Sequence, residues 1–597
     1  MLFYELCKCY NLLEKTRKKL EMVDILSNTL KNASSKEIGK ISLLTLGKIH
    51  PDFIGIELML AERMAIKALT MASGRSEKSV LKYLEEIGDL GETSQKLLKG
   101  KTQSSLLVFT KQEEKYEPEV LEIWNLLNSI AKMSGEGSSD RKIRTLSGLI
   151  SRVQPLEARY IMRIVCGQLR LGVATQLLMD ALSKAVTGSR ENKYIIERAY
   201  NRCADISKVA ETLYEEGLET VQKIDVQVFN PIKVMLAQRV SSSDELIKRF
   251  GGKSALEYKY DGLRVQVHVK DRKVKLFSRS SEDITNQFPD VCKFILEALK
   301  EDNFIVEGEV VAYDYEKDKI LPFQHLSQRK RKHNIEQKMM EIPLRVFLFD
   351  ALFFNGKSLL ESNYIERRSS LHQIIEETKN IQFSHQTLVS STDEIEAFFH
   401  QALEDNYEGI MGKSIDENSS YQAGTRGFSW VKYKADYVDN LSDSFDLVIL
   451  GAEYGKGKRA GKYGTFLLGC FDIDEGVYRT FTRVATGFSD NELDSFYTIL
   501  SSLKADKPKD VISSLNSSVW FEPKIVVEVS GAEITVSQIH TCAKNHLENP
   551  QNGLALRFPR FTGRIVEDKS PEEITSVEEI LTIYLNQRNK IDVSNNV

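Results

Sequence analysis

The spacing of apolar residues changes twice along this chain, and each change predicts a different fold. Up to about residue 225, apolar residues recur every three or four positions, as in EARYIMRIVCGQLRLGVATQLLMDALSKA, which is typical of amphipathic helices. From Phe229 onward, short runs rich in β-branched and aromatic residues predict strands, with helical stretches such as STDEIEAFFHQAL between them. We therefore predict an all-α domain, residues 1–225, followed by an α+β domain, residues 226–437.

Beyond Tyr437 the pattern shifts to short strands separated by turns, among them DLVILGAEYG, TFLLGCFD and KIVVEVSGAEITVS. Closing such strands into a small barrel removes exposed sheet edges, so residues 438–597 are predicted to form a C-terminal all-β barrel. The segment ADYVDNLSD, 435–443, is the predicted hinge before it, and the last ten residues are expected to fray. The chain of 597 residues is long enough for three domains with separate cores.

Composition excludes several classes of protein. No run of about 18 uncharged apolar residues occurs, and the N-terminal segment lacks the layout of a secretory signal, so we expect an intracellular, cytoplasmic protein. The seven cysteines include no CxxC pair, which argues against a four-cysteine zinc site. The net charge of −4 does not itself indicate a polyanionic partner, so the positions of individual Lys and Arg residues must carry that argument.

The segment EYKYDGLR, residues 257–264, contains the strongest candidate for chemistry. Lys259 lies on a predicted strand, close to Gly262 and Arg264. A lysine amine is nucleophilic only after it loses its proton, and burial or a neighbouring cation lowers its pKa. Gly262 would let the backbone turn tightly beside a ligand, and Arg264 offers a planar set of donors to a phosphate or ribose oxygen. Taken alone, Lys259 could also be an exposed residue on a strand edge.

This segment resembles KxDGxR, the active-site motif of the nucleotidyltransferase superfamily of DNA ligases, RNA ligases and mRNA capping enzymes. Segments similar to the other motifs of that superfamily follow in the same order, namely FSRSSEDIT, FIVEGEVVAYD, LFDALFFNGKSLL, EGIMGKS, WVKYK and LRFPRF. The resemblance implies that Lys259 is the catalytic residue and carries a nucleotide covalently. It also implies an ATP-grasp-like nucleotidyltransferase fold for the middle domain and an OB-fold for the C-terminal barrel.

The resemblance assigns further residues to the nucleotide site. Glu257 and Phe349 match positions that contact the purine, in the case of Phe349 by stacking on it. Glu309 and Glu408 are carboxylates of the kind that Mg²⁺ prefers, and Glu309 also belongs to the nucleotide pocket. By residue type alone, Phe349 could belong to the core and Glu309 could be solvated. The basic residues implied to contact the nucleotide or its phosphates are Arg264, Arg279, Lys413, Arg426, Lys432, Lys434, Arg557 and Arg560.

The helical region distinguishes among members of this superfamily. SSDRKIRTLSGLI and the helices that follow it resemble the DNA-binding domain of archaeal and eukaryotic replicative DNA ligases. EEIGDLGETS, NPIKVMLAQRV and, in the catalytic domain, LPFQHLSQRKRK also fit that family. The compact length is similar to that of the archaeal members. Basic residues on these helices are expected to contact DNA phosphates without reading sequence, although any one of them could form a surface ion pair instead. They are Arg141, Lys142, Arg144, Arg159, Arg163 and Arg170.

Together these resemblances imply an ATP-dependent DNA ligase that seals nicks in duplex DNA during replication, repair and recombination, and so supports cell division. ATP and Mg²⁺ are the expected cofactors, because the nicotinamide, zinc and helix-hairpin-helix modules of NAD-dependent ligases are not visible in the sequence. Nicked double-stranded DNA is the expected partner, a sliding clamp is a further candidate, and a monomer is the default state. Two alternatives stay open: an RNA ligase or capping-type enzyme, and a non-catalytic DNA-binding clamp. Use of ADP or GTP also stays open.

Overall fold

Helices form the N-terminal region of the computed structural model, as the three- and four-residue spacing of apolar residues predicts. The structure describes residues 1–58, 60–102, 116–167, 169–240, 242–321, 323–329, 335–405, 407–434, 444–455, 459, 461–547, 549–567 and 569–593. The helices of this region are α1 (Phe3–Leu13), α2 (Lys19–Leu30), α3 (Ser35–Thr45), α4 (Glu62–Ser73), α5 (Glu77–Ile87), α6 (Leu90–Thr102), α7 (Val120–Lys132), α8 (Ser138–Arg152), α9 (Pro155–Val165), α10 (Thr175–Thr187), α11 (Lys193–Cys203), α12 (Ile206–Glu215) and α13 (Leu218–Gln222).

Two of the basic residues expected to contact DNA are instead used inside the helical region. Arg159 Nη2 lies 2.5 Å from Glu14 and 3.0 Å from Glu92, and Arg163 Nη1 lies 2.6 Å from Glu14. Both arginine side chains are largely buried, whereas that of Arg141 is exposed. Because Glu14, directly after α1, and Glu92 of α6 compensate these two charges, the structure favours the ion-pair alternative over phosphate contacts for Arg159 and Arg163.

Two sheets with flanking helices form the middle region. Its strands are β1 (Gln238–Arg239), β2 (Ser254–Tyr258), β3 (Leu263–Lys270), β4 (Lys273–Ser278), β5 (Asn303–Asp314), β6 (Lys319–Ile320), β7 (Leu344–Phe354), β8 (Lys357–Ser358), β9 (Ile381–Phe383), β10 (Gln386–Val389), β11 (Gly409–Lys413) and β12 (Trp430–Lys434). Its helices are α14 (Ser243–Arg249), α15 (Pro289–Glu297), α16 (Phe323–Ser327), α17 (Ile335–Glu341), α18 (Tyr364–Ile374) and α19 (Thr392–Glu404). One sheet has the order β1-β12-β11-β2-β10. The other has the order β4-β3-β5-β7-β8, with β6 on β5 and β9 on β7.

Alternation along β3 divides its side chains between two environments. Val265, Val267 and Val269 join the apolar core of the second sheet, as the period of two in a strand requires. The residues between them include Gln266 and His268, which are polar and also buried. A buried polar group is tolerated when it is hydrogen-bonded, and both side chains have partners in the protein.

His268 makes the stability of the protein depend on pH. Burial lowers the pKa of His268 to about 3, and the positive charge of Lys275 adds to this effect. The unfolded chain, with a histidine pKa of about 6.5, therefore binds this proton more tightly than the folded protein does. The stability that neutral His268 contributes is fully present above about pH 6.5 and is lost as the pH falls towards 3.

We expect His268→Gln to flatten the acid-induced loss of stability, because glutamine does not titrate. Between pH 6.5 and 4.5, the wild-type protein should lose on the order of 2 kcal/mol more unfolding free energy than the variant. Urea unfolding at a series of pH values measures this difference. His400→Gln changes an exposed histidine of α19 and should be as acid-sensitive as the wild-type protein. If His268→Gln and His400→Gln respond alike to acid, the prediction is wrong.

The described chain divides into two compact units, residues 1–80 with 90–434 and residues 81–89 with 435–597. The strands of the second unit are β13 (Phe445–Tyr454), β14 (Tyr463–Asp472), β15 (Val477–Val484), β16 (Lys504–Ala505), β17 (Val511–Ile512), β18 (Val519–Phe521), β19 (Val526–Ser530), β20 (Glu533–Ser537), β21 (Gly553–Arg557) and β22 (Arg560–Ile565). Their order is β16-β18-β13-β14-β15-β17, β19 pairs with β13 and β22, and β20 pairs with β21. The predicted order of an all-α region, an α+β region and a C-terminal β region is confirmed.

The C-terminal region also contains helices, which the expected all-β barrel does not include. They are α20 (Asp490–Ser501) and α21 (Val577–Val593). The side chains of Ser489 and Glu492 cap the start of α20 reciprocally, and this Ser-x-x-Glu spacing is a signal present in the sequence.

Because α21 extends to Val593, the predicted fraying of the last ten residues is wrong for 588–593. The predicted hinge, 435–443, lies outside the described residues. No helix within the described ranges is long and apolar enough to cross a membrane.

Candidate active site

A cavity of about 370 Å³ in the middle region is lined by strands of both sheets. Strands β2, β11 and β12 contribute from one sheet, and β3, β5 and β7 contribute from the other. This volume lies within the range typical of pockets for small ligands. The predicted site residues that line it are Glu257, Lys259, Arg264, Arg279, Glu309, Phe349, Lys413, Arg426 and Lys432.

Lys259 projects into this cavity from the end of β2. The strand ends at Tyr258, so Lys259 lies directly after it and not on the predicted strand, but backbone pairing continues. The Lys259 N–H donates to the Gly409 carbonyl at 2.9 Å, and the Glu408 N–H donates to the Lys259 carbonyl at 3.1 Å. The side chain of Lys259 is 22% exposed, and its Nζ lies 2.5 Å from Glu408 Oε2. The amine is therefore held at the cavity wall and does not extend into bulk solvent.

Aromatic stacking fixes the backbone on both sides of Lys259. Tyr258 stacks on Tyr407 with ring centroids 4.2 Å apart, and Tyr260 stacks on Phe347 at the same centroid distance. Because successive residues of an extended strand point to opposite faces, these rings pack away from the face that carries the amine. The stacks leave the lysine little freedom to move its backbone relative to Glu408.

Glycine is required at two positions near Lys259 because backbones approach closely there. A Cβ on Gly262 would lie 2.4 Å from the Val310 carbonyl oxygen, and one on Gly409 would lie 2.3 Å from the Tyr433 carbonyl oxygen. Gly409 also has a φ of +139°, which disfavours any side chain. Gly262 was predicted to permit a tight turn beside a ligand. Gly262 lines the cavity, and its lack of a side chain also allows β5 to pass close to the segment that follows Lys259.

Positive charges converge on Lys432 within the cavity. Burial lowers the pKa of Lys432, and the charges of Lys259, Arg426, Arg279 and Arg239 lower it further. Within the described parts of the chain, no carboxylate lies within ion-pair distance of Lys432, Arg426 or Arg279. Such mutual repulsion is relieved when an anion binds among the cations. Arg239 was not predicted, although it pairs in register with Lys432 across β1 and β12.

The buried carboxylate of Glu257 lies at another part of the cavity wall. Glu257 accepts hydrogen bonds from Lys413 Nζ at 2.8 Å and from the hydroxyl of Tyr364. Lys413 is itself buried, and burial lowers its pKa. Because the charge of Lys413 is already paired with Glu257, this ion pair argues against the predicted contact of Lys413 with a phosphate. Tyr364 was missed, since nothing in the sequence connects α18 with β2.

Apolar rings and a guanidinium form the wall beside Glu257. Phe349 is partly buried and meets Trp430 edge-on, with ring centroids 6.0 Å apart. The guanidinium of Arg264 lies 5.4 Å from the ring centroid of Phe349. Arg264 donates from Nη1 to the Met235 carbonyl at 2.8 Å and from Nη2 to Glu307 at 2.7 Å. Nη2 also lies 3.4 Å from the Tyr421 hydroxyl, whereas the Nε–H has no hydrogen-bond partner among the described residues and remains a donor for a ligand.

Carboxylates for a divalent metal are few in this cavity. Burial raises the pKa of Glu309 to about 7, and Lys259 and Arg264 partly oppose this rise. No group of three or more His, Cys, Asp or Glu side chains suited to a metal occurs in the part of the chain that the structure describes. Mg²⁺ commonly takes only one or two protein carboxylates and completes its shell with water and phosphate oxygens, so Glu309 fits as such a ligand. Glu408 fits less well, because Lys259 and Lys434 occupy its two oxygens.

The remaining predicted residues lie outside the cavity wall. Lys434 and Glu408 do not line it but are joined to Lys259 through their ion pairs. Arg557 and Arg560 belong to the second unit, at the end of β21 and the start of β22. There, Arg557 forms an ion pair with Glu533, and Arg560 is exposed.

Family models of DNA ligases match the N-terminal, middle and C-terminal parts of this chain. Three family models match: "DNA ligase N terminus" at residues 2–183, "ATP dependent DNA ligase domain" at 234–434, and "ATP dependent DNA ligase C terminal region" at 459–569. The chain is 41% identical to the DNA ligase of Nitrosopumilus maritimus (strain SCM1), covering 98% of each sequence. It is 40% identical to the DNA ligase of Sulfolobus acidocaldarius, covering 99% of each, and the predicted archaeal character is consistent with such relatives. The solved structure named Pmar-Lig_PreS3 aligns with 94% of this chain and 99% of its own, with a TM-score of 0.52 and 17% identity, which shows a shared fold alone.

Proposed function

The chain belongs to the ATP-dependent DNA ligase family, and from that premise we propose that it seals 5′-phosphate/3′-hydroxyl nicks in duplex DNA through a lysyl-AMP intermediate on Lys259. The observation that carries the proposal is the position of the Lys259 amine in one cavity with Arg279, Arg426 and Lys432, for which no carboxylate in the described residues lies at ion-pair distance. A triphosphate bound among these cations would bring its α-phosphate to the amine. Phosphoryl-transfer catalysis depends mainly on such positioning and on cancelling negative charge.

In the first step, Lys259 Nζ forms a bond with the α-phosphorus of ATP, and the bond to pyrophosphate breaks. The amine must lose a proton, and the carboxylate of Glu408, 2.5 Å away, is placed to receive it. Arg279, Arg426 and Lys432 would hold the charge of the departing pyrophosphate. When bound, Mg²⁺ would shield the same negative charge, with Glu309 as its ligand from the protein.

In the second step, a 5′-phosphate oxygen at the nick attacks the phosphorus of lysyl-AMP, and the N–P bond breaks. In the third step, the 3′-hydroxyl attacks the 5′-phosphate, AMP leaves, and a phosphodiester bond is formed. Phe349, partly buried beside Trp430, would stack on the adenine throughout. Glu257 would contact the adenine base, and its hydrogen bonds with Lys413 and Tyr364 would fix the orientation of its carboxylate.

The wider context is also proposed. We assign residues 1–225 to a DNA-binding domain, 226–437 to the adenylation domain and 438–597 to an OB-fold domain. Exposed basic residues of the helical region, such as Arg141 and Arg144, would contact phosphates without reading bases. Arg557 and Arg560 would contact the pyrophosphate. The protein would act as a monomer on the nucleoid in the cytoplasm, in replication, repair and recombination, with a sliding clamp as a candidate partner.

We expect the protein to seal a nick in a DNA duplex at least about 100-fold faster than the same nick in an RNA duplex, because the N-terminal region matches the DNA ligase model. Sealing is measured with a 5′-labelled strand that lengthens on ligation. Self-labelling with ATP, ADP, GTP and NAD in parallel identifies the donor, and ATP should be the best. Preference for RNA would favour an RNA ligase, and absence of self-labelling with every donor would favour a non-catalytic clamp.

A further inference from the structure

Three polar residues of β3 face the segment that connects α13 to β1, residues 223–237. Arg264, Gln266 and His268 alternate along the strand, on the side opposite the valines of the core. Each of them hydrogen-bonds to the backbone of the connecting segment, at Met235, Ile232 and Phe229 respectively. A step of two residues along β3 therefore matches a step of three residues along the connecting segment.

His268 begins this chain of hydrogen bonds at the end farthest along the strand from Arg264. Its Nδ1 lies 2.9 Å from the Phe229 nitrogen and accepts the Phe229 N–H. With the pKa of His268 lowered to about 3 by burial, the ring is neutral at physiological pH, so Nε2 carries the proton. Nε2 then donates to Gln266 Oε1 at 2.8 Å. Phe229 has a φ of +76°, an unfavourable conformation for a large side chain, and the bond to His268 helps to hold it.

Gln266 hydrogen-bonds both to the connecting segment and to Glu307. Its Oε1 accepts from the Ile232 N–H at 2.8 Å, and its Nε2 donates to the Ile232 carbonyl and to Glu307 Oε1, both at 3.2 Å. These partners are mutually consistent in only one orientation of the amide, because His268 must donate to the oxygen. Gln266 is therefore locked against the connecting segment on one side and against a fully buried carboxylate on the other.

Glu307 completes the connection to the nucleotide cavity. Its Oε2 accepts from Arg264 Nη2 at 2.7 Å and from the Tyr421 hydroxyl at 2.8 Å. The Tyr421 hydroxyl accepts the Met235 N–H at 2.9 Å, and the Met235 carbonyl accepts from Arg264 Nη1 at 2.8 Å. The guanidinium that lines the cavity is thus oriented by Glu307 and by the connecting segment together.

We propose that Gln266 and His268 are positioning residues, which set the orientation of Arg264 in the nucleotide cavity by holding the connecting segment and Glu307 in register with β3. This inference rests on the proposed function, since it gives Arg264 a nucleotide to contact. Removing one member of a buried hydrogen-bond network leaves its partners unsatisfied. Loss of Gln266 should therefore allow Glu307 and Arg264 to shift, although no residue that lines the cavity is substituted.

The test is the ATP dependence of self-labelling by Gln266→Met, which keeps the volume of the side chain and removes its hydrogen bonds. We expect the ATP concentration for half-maximal labelling to rise about tenfold, the size of effect expected when a charge-assisted contact is misplaced. The matched control is Gln382→Met on β9, outside the network, which should match the wild-type protein. A wild-type protein that does not label would reject the proposed function. Labelling by Gln266→Met with unchanged ATP dependence would reject this inference alone.

Two variants of His268 give a second test that does not require Gln266→Met to fold. Glutamine places an N–H near the position of Nε2 and keeps the donor to Gln266, whereas asparagine places an acceptor near Nδ1 and keeps the bond to Phe229. If His268 acts through Gln266, His268→Gln should label at ATP concentrations close to those of the wild-type protein. His268→Asn should need about threefold more ATP, a modest effect because Gln266 keeps its other bonds. Wild-type ATP dependence in both variants would mean that His268 only fills space, and an equal rise in both would show that its bond to Phe229 matters as much as its bond to Gln266.

Discussion

Lys259→Ala is expected to abolish covalent labelling of the protein by ATP that carries a label on its α-phosphate. The amine of Lys259 lies 2.5 Å from a carboxylate that can accept its proton and lines a cavity with Arg279, Arg426 and Lys432. Removal of a nucleophile leaves only binding and charge stabilisation, so labelling should fall by at least about 10³-fold. The measurement is the label retained on the denatured protein after incubation with ATP and Mg²⁺, as a function of time.

Two comparisons make this experiment specific for the nucleophile. Lys259→Arg keeps the positive charge but not the nucleophilic amine, and it should also fail to label. Lys270→Ala changes an exposed lysine at the end of β3 and should label as the wild-type protein does. Chelation of Mg²⁺ should suppress labelling of the wild-type protein. A phosphoramidate is cleaved by acid and survives alkali, so the label should be acid-labile. Equal labelling of Lys259→Ala and the wild-type protein would show that another residue carries the nucleotide.

Much of the cavity could be predicted because its residues lie at fixed places within short segments. The period of two along WVKYK placed Lys432 and Lys434 on one face of a strand, and β12 has that arrangement. Motif resemblance, applied residue by residue, selected Glu257, Lys259 and Phe349, which line one cavity. A short segment carries such information because the face of the sheet to which a strand residue points depends on its position relative to its neighbours in the chain.

Partners that are distant in sequence could not be predicted. Glu257 is bonded to Tyr364, 107 residues away, and to Lys413, 156 residues away. Arg159 pairs with Glu14 across 145 residues. Such pairs depend on how helices and strands are packed, so residue type alone could not show that these charges were already compensated. The alternation in RVQVHV was a signal for the polar face of β3, but only the fold shows that the connecting segment lies against it.

Lys432→Met is expected to slow self-labelling by about 10²–10³-fold, the range found when a single stabilising contact to developing charge is removed. Lys432 lies in the cavity with Arg279 and Arg426, and no carboxylate within the described residues is close enough to pair with them. Methionine keeps most of the apolar stem and removes the charge. The single-turnover rate at saturating ATP measures the effect. Lys357→Met, an exposed change on β8, is the control and should label normally.

The same substitution should leave the ligand-free protein no less stable than the wild-type protein, which separates loss of function from loss of fold. Burial and neighbouring cations lower the pKa of Lys432, so its folded state binds the proton less tightly than the unfolded chain, and at neutral pH its charge destabilises the fold. The unfolding temperature of Lys432→Met should therefore be equal or higher. Inorganic pyrophosphate, which binds the folded protein, should raise that temperature in the wild-type protein and raise it less in the variant. A lower unfolding temperature without ligand, or an equal response to pyrophosphate, would show that Lys432 is a structural residue and not part of the phosphate site.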